Sequence, residues 1–136
     1  IEAFAVYSSI LSDLEARVLQ ELQRPEWVAR RILRSLPVDK GFTFFYEFAR
    51  PTQWTVHSLE EFKSALKVVD VKSIEFHIEQ GDFERWIRQV VGDDTLADKL
   101  NALTNEKLSR EKLRTRILGA VERRINELKA IAKFQT

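Results

Sequence analysis

The chain has 136 residues, the length of one domain that can bury a core without disulfides or metals. It carries 22 Lys and Arg against 21 Asp and Glu, which gives a net charge of +1. This balance excludes a protein that coats polyanions with a uniformly basic surface. Because it has no cysteine, disulfides, thiolate metal sites, iron–sulfur clusters and cysteine nucleophiles are excluded. We expect a cytoplasmic protein with no membrane partner, because the sequence contains neither a long apolar run nor a signal-peptide pattern.

The scarcity of certain residues resembles the composition of proteins from hyperthermophiles. Cysteine and methionine are absent, asparagine occurs three times, and 32% of the residues are charged. Such a composition favours a thermophilic source.

An N-terminal helical hairpin is predicted over residues 1–36. Apolar residues recur at alternating steps of three and four: Phe4, Tyr7, Leu11, Leu14 and Val18, extended by Leu22. This spacing predicts a helix over 4–22 that packs in its own domain or pairs with a partner helix. Pro25 fits the first turn of a second helix, and Pro37 ends it.

A two-stranded antiparallel hairpin is predicted over 42–48 and 53–57. Aromatic residues alternate along the first strand and are expected to share one face, packed on the helices: Phe42, Phe44, Tyr46 and Phe48. Arg50-Pro51-Thr52 supplies the predicted turn. A base-stacking platform is the functional alternative for these rings.

Capped helices follow the hairpin in a motif-bearing core over 42–103. Ser58 and Glu61 form a predicted capping box, and Asp70 and Asp82 are predicted to cap the next two helices. Gly81 and Gly92 are predicted to end helices in the left-handed conformation. A further helix runs through Leu96 to Leu103.

The last predicted helix spans about 105–134 and is basic. Its apolar face contains Leu113, Ile117, Val121, Ile125, Leu128 and Ala132. We expect it to pack against the first helix or against a second copy of the chain.

Charge divides the chain into an acidic middle and a basic end. Residues 57–100 contain 6 basic and 10 acidic residues, whereas 101–136 contain 9 basic and 4 acidic. A nucleic-acid contact is one interpretation of the basic end, extended by an arginine cluster of the second helix. The candidate contacts are Arg30, Arg31, Arg34, Lys112, Arg116, Arg123 and Arg124. A solvated face with intrahelical ion pairs is the other interpretation.

No motif for catalysis or for a cofactor emerges. Only His57 and His77 are histidines, no H-x-x-x-H occurs, and the four glycines form no phosphate-binding loop. We therefore predict no catalytic residues, no metal and no cofactor.

The densest motif suggests a family resemblance. Its segments are Ser73-Ile74-Glu75-Phe76-His77, Gly81-Asp82-Phe83-Glu84-Arg85-Trp86-Ile87, Gly92-Asp93 and Leu96-Ala97, after Ser58-Leu59-Glu60-Glu61-Phe62. Over about 42–103 the chain resembles a family of small archaeal and bacterial domains of unknown function. This resemblance implies no known catalytic residues, so no residue role is transferred from it.

His77, Asp82 and Trp86 lie where one predicted helix ends and the next begins. If His77 pairs with Asp82 while Trp86 covers the junction, the three lock the corner between the helices. Alternatively they form a polar pocket beneath an aromatic lid.

The sequence thus predicts a single, predominantly helical α+β domain over 1–136, with six or seven helices and one two-stranded antiparallel hairpin. The leading hypothesis is a non-enzymatic interaction or structural module that binds a protein partner or forms a homodimer through its terminal helices. A nucleic-acid-associated protein is the alternative, and a small-molecule or enzymatic site at His77 is the third.

Overall fold

A computed structural model describes residues 2–133 and shows, within that range, the predicted mostly helical α+β fold. The helices are α1 (Glu2–Leu22), α2 (Pro25–Ile32), α3 (Leu59–Val68), α4 (Val71–Gln80), α5 (Asp82–Trp86), α6 (Asp94–Thr104) and α7 (Arg110–Ala132). The strands are β1 (Phe42–Glu47) and β2 (Arg50–Val56), which pair antiparallel. A 3-10 turn (Val38–Lys40) precedes β1, and a π-helical turn (Ile87–Val91) continues α5. The predicted helix end at Phe134 lies outside the described residues.

The core is built around α7, whose predicted apolar face is buried. Leu113, Ile117, Val121, Ile125 and Leu128 lie on that face, and α2, α3, α4 and α6 pack against the helix. Close packing of such side chains is the main stabilising contribution to a domain of this size. The last helix is therefore the axis of the core.

The hairpin differs from its prediction at the turn. The turn is formed by Phe48 and Ala49, and Arg50 already pairs with Glu47, so the turn predicted at residues 50–52 is wrong. Pro51 is tolerated within β2 because that strand lies at the edge of a two-stranded sheet.

The strand also loses its simple alternation of faces. The pairing register shifts between Thr43 and Phe45, and again between Phe45 and Glu47. Such irregularities re-aim side chains along the bulged strand. Phe44 is therefore buried as predicted, whereas Phe48 lies at the hairpin tip with 74% of its surface exposed.

The predicted helix boundaries in the core are mostly confirmed. Gly81 (φ 71°) and Gly92 (φ 90°) adopt the left-handed conformation where helical segments end. Asp70 caps α4 by accepting the Lys72 N–H at 2.9 Å. Only half of the capping box forms: Ser58 accepts the Glu61 N–H, but the Glu61 carboxylate accepts the N–H of His57.

The first helix departs from the pattern of the others. Every side chain of α1 from Ala3 to Leu22 is exposed. Its end is tied to α2 by Glu21, which accepts from Trp27 Nε1 at 3.2 Å and pairs with Arg24 Nε at 2.9 Å. The two long helices therefore do not pack along each other, and pairing of α1 with a second copy is the expectation that remains.

None of the helices described in residues 2–133 combines the length and apolar character needed to cross a bilayer.

Candidate functional site

The predicted corner around His77 lies beneath β1, at the junction of α4 and α5. α4 turns His77 inward together with Ile74, and only 3% of the His77 surface is exposed. Its ring contacts Phe42 edge-on, with 4.8 Å between the ring centroids, and Phe83 at 5.3 Å. His77 is thus part of an aromatic core.

Both nitrogens of the imidazole have hydrogen-bond partners. Nδ1 lies 2.8 Å from Asp82 Oδ2, and Nε2 accepts the backbone N–H of Phe45 at 2.8 Å. Because a nitrogen that accepts a hydrogen bond carries no proton, the ring is neutral and Nδ1–H donates to Asp82. Burial lowers the pKa of His77, and the hydrogen bond to Asp82 only partly offsets that effect.

This arrangement supports the interpretation of a locked corner. Phe45 lies opposite Pro51 of β2. Its backbone N–H donates a hydrogen bond to the His77 ring, and the side chain of a helix thereby satisfies a backbone donor of the strand. Trp86 Nε1 donates to the Lys40 carbonyl at 3.0 Å, which ties α5 to the turn before β1.

Asp82 pairs with His77 as one of its two predicted roles requires, but the predicted cap of α5 is wrong. Gly81 occupies the N-cap position of α5, and the Asp82 side chain forms no cap hydrogen bond. Its carboxylate instead bridges His77 and Arg85, with Arg85 Nη2 on the second oxygen.

A cavity of about 190 Å³ opens beside this corner, under the hairpin tip. Its lining consists of Phe45, Glu47, Phe48, Ala49, Phe76, His77 and Asp82. Trp86 lies outside it, so the structure separates the three predicted residues into two at the cavity and one behind it. With both His77 nitrogens occupied, the corner has no imidazole nitrogen available for proton transfer.

The sequence did not identify this cavity. The alternating pattern assigned Phe42, Phe44 and Phe48 to a single face and left Phe45 as an unexplained apolar residue between them. Phe45, together with Phe76 next to His77, was the signal of a second aromatic surface.

The arginines predicted to contact nucleic acid are largely used inside the fold. α2 lies beside α7, and Arg34 donates to the carbonyls of Val90 and Val91 at 3.1 Å, which caps the π-helical turn. Arg30 donates to the carbonyl of Ala132 at 3.3 Å.

The basic residues of α7 follow the same trend. Arg124 forms a bidentate salt bridge with the buried Asp93, with N–O distances of 2.8 and 3.0 Å. Arg116 pairs with Glu106 at 3.0 Å. Within residues 2–133, the three remaining candidates form no ion pair: Arg31, Lys112 and Arg123. This use of guanidinium groups disfavours a continuous phosphate-binding stripe.

In the described part of the chain, no group of three His, Asp or Glu side chains converges in a way that could hold a metal ion. His57, the second histidine, lies 3.2 Å from the Val38 carbonyl through Nε2.

A family model matches the C-terminal part of the chain. Residues 79–136 match a family of unknown function, DUF5752. The predicted resemblance to a family of unknown function is therefore confirmed, although the matched segment shares only residues 79–103 with the predicted one. No curated protein and no solved structure gives a significant match to the chain.

Proposed function

We propose that the protein is a non-enzymatic interaction module that self-associates through α1. The observation that carries this proposal is an apolar stripe left uncovered along a 21-residue helix. Of the two terminal helices considered from the sequence, α7 uses its apolar face in the core, and α1 remains.

The exposed apolar surface on α1 is large for a single helix. It comprises Phe4, Val6, Tyr7, Ile10, Leu11, Leu14, Val18, Leu19 and Leu22, each at least 48% exposed. Scattered apolar residues on a surface are ordinary, whereas a contiguous patch of this extent is typical of an interaction site. An isolated helix is also marginal in water, so a partner would stabilise α1.

The charges on α1 favour a protein partner over a membrane or a nucleic acid. Arg17 is its single basic residue, against Glu2, Asp13, Glu15 and Glu21. Helices that lie on anionic membranes or on phosphates are rich in Lys and Arg. A second apolar helix is the occupant that this surface fits.

A second copy of α1 fits best in an antiparallel arrangement. In heptad terms Phe4, Leu11 and Val18 occupy one seam position, while Tyr7, Leu14 and Glu21 occupy the other. Antiparallel pairing places Leu11 against Leu14 and Tyr7 against Val18 of the second copy. Parallel pairing would place the two Glu21 side chains together at the seam, which costs electrostatic free energy.

Self-association is tested by sedimentation equilibrium over a range of concentrations. We expect a dimer that Leu14→Glu converts to a monomer, because the charge would be buried at the seam. Ser12→Glu adds the same charge to α1 outside the stripe and serves as the matched control. A wild-type protein that stays monomeric, or equal effects of both variants, would contradict the proposal.

The antiparallel register is tested by disulfide cross-linking. Because the chain has no cysteine of its own, any disulfide comes from the introduced residues. We expect a mixture of Tyr7→Cys and Val18→Cys proteins to form the mixed disulfide under mild oxidation. Each variant alone should form far less disulfide-linked dimer, because like positions lie far apart. Efficient self-linkage of either variant would instead indicate parallel helices.

A further inference from the structure

The cavity under the hairpin tip has a lining of unusual composition. Three phenylalanines supply its walls (Phe45, Phe48 and Phe76), and two carboxylates lie among its seven lining residues, Glu47 and Asp82. Lysine and arginine do not contribute to this lining. Aromatic faces combined with negative charge favour a ligand that is both apolar and cationic.

The rings are held in place by the fold. Phe48 meets Phe76 edge-on, with 5.2 Å between their centroids at 89°. Phe76 lies in turn 5.0 Å from the ring of His77. Phe48 is presented by the hairpin turn, where Ala49 takes a left-handed backbone (φ 61°) that is costly for a residue with a β-carbon. The tip therefore places an exposed ring at the mouth of the cavity.

The floor of the cavity does not repel a cation. His77 is neutral, because its Nε2 accepts the Phe45 N–H and its Nδ1 proton is directed at Asp82. The cavity therefore has no positive group on its floor, and its formal charges are those of Glu47 and Asp82.

Both carboxylates have arginine partners outside the lining. Arg50 pairs with Glu47 at 2.7 Å, and Arg85 pairs with Asp82. The arginine side chains are more than half exposed, and exposed pairs of this kind contribute little free energy, so a bound cation competes with them at small cost.

From these observations we propose that the hairpin-tip cavity binds an alkylammonium group, such as a methylated amine or the end of a lysine side chain. Its volume of about 190 Å³ equals roughly six water molecules at ~30 Å³ each, which suits one ammonium group with a few carbons. The ammonium lies against the ring faces, and its charge faces the carboxylates. This site is independent of α1 and of self-association.

The proposal is tested by NMR titration of the wild-type protein with tetramethylammonium chloride. Sodium chloride at equal ionic strength controls for salt, and tert-butanol serves as a neutral probe of similar shape. We expect saturable shifts in Phe45, Phe48 and Ala49 with tetramethylammonium and weaker binding of tert-butanol. Equal binding of both probes, or no saturable shift with tetramethylammonium, would overturn the proposal.

Two variants separate ring and charge effects without touching the buried corner. Phe48→Leu keeps an apolar side chain but removes the π-face, and we expect about three-fold weaker binding of tetramethylammonium. Glu47→Gln removes one charge at the rim, and a similar loss is expected. Trp54→Leu, at an aromatic residue of β2 outside the lining, is the matched control and should bind as wild type. Unchanged binding in Phe48→Leu would overturn the assignment of the cation to these rings.

Discussion

The two longest helices carry the same kind of apolar stripe and lie in opposite surroundings. In α7 the stripe is buried by α2, α3, α4 and α6, whereas in α1 it is exposed along its whole length. Periodicity alone shows that a helix has an apolar face and does not show what covers that face. Whether an apolar face is buried therefore depends on contacts with the rest of the chain.

The connections on either side of each helix explain the difference. α7 follows α6 and returns through the centre of the fold, so its neighbours surround it. α1 is joined to the core at one end, where Glu21 contacts Trp27 and Arg24 on exposed surface. Within residues 2–133, the apolar faces of the core helices pack against one another and not against α1.

The largest expected contrast comes from the same substitution in both helices. Leu128→Ala in α7 removes a side chain that is 1% exposed, and we expect a loss of about 3 kcal/mol in the free energy of unfolding. Leu14→Ala in α1 removes one that is 48% exposed, and at protein concentrations below dimer formation the loss should stay within about 0.5 kcal/mol. Urea unfolding of dilute protein measures both.

Similar losses in the two variants would mean that α1 is buried against the core in solution. The interaction proposal would then lose its main observation. Urea unfolding at higher protein concentration is a second measurement. Self-association through α1 predicts that the loss in free energy of unfolding grows with dimer formation for Leu14→Ala and stays constant for Leu128→Ala.

Much of the fold was accessible from the sequence. Helix starts and stops at Asp70, Gly81 and Gly92 follow from local chemistry, and the structure confirms them. The hairpin turn was mispredicted because Pro51 is a strong local signal for a turn, whereas the pairing of two irregular strands depends on contacts distant in sequence.

The candidate site was accessible only in part. The pairing of His77 with Asp82 was anticipated because both lie at one helix junction. The bond from the Phe45 N–H to His77 links residues that are 32 positions apart, and no local pattern reports it. Both residues of that long-range contact line the cavity, and the neutral state of the imidazole follows from the contact.

The second comparison is between a buried and a half-exposed ion pair of α7, and the quantity compared is the free energy of unfolding lost when the acidic partner is removed. Asp93 is 2% exposed and receives two hydrogen bonds from Arg124. Asp93→Ala should cost about 3 kcal/mol, because it leaves a mostly buried guanidinium with only the half-exposed Glu127 as an ion-pair partner. Glu106→Ala, which breaks the half-exposed pair with Arg116, should cost less than about 0.5 kcal/mol. Equal costs in urea unfolding would mean that Arg124 turns to solvent.

The His77 corner predicts a pH dependence that belongs to the core and not to α1. The pKa of His77 lies below its ordinary value of 6.5 in the folded protein, so the unfolded chain binds the proton first as pH falls. The contribution is complete above pH 6.5 and is lost as pH falls from there to the lowered folded pKa. Urea midpoints between pH 8 and about pH 5 should therefore decrease on the acid side.

Replacing His77 separates this effect from other carboxyl titrations. His77→Phe removes the acceptor of the Phe45 N–H, and we expect a loss of about 2 kcal/mol at pH 8 together with a flatter pH profile. His57→Gln, at the more exposed histidine, is the control for the loss of an imidazole outside the core. A His77→Phe protein as stable as wild type would refute the locked corner, and preserved tetramethylammonium binding in it would show that the cavity does not depend on that corner.

The smallest expected effect concerns the junction that holds α1. Glu21 accepts from Trp27 Nε1 and pairs with Arg24, and both contacts are exposed, so Glu21→Ala should change the free energy of unfolding by less than about 0.5 kcal/mol. The orientation of α1 should respond more than stability does, because these contacts join its end to α2. Backbone ¹⁵N relaxation at dilute concentration should then show lower order parameters throughout α1 and unchanged values in α7. Glu15→Ala, at an α1 residue away from the junction, is the control. If Glu21→Ala leaves the order parameters of α1 unchanged, the helix continues stiffly into α2, and a rigid arm presents the apolar stripe to its partner.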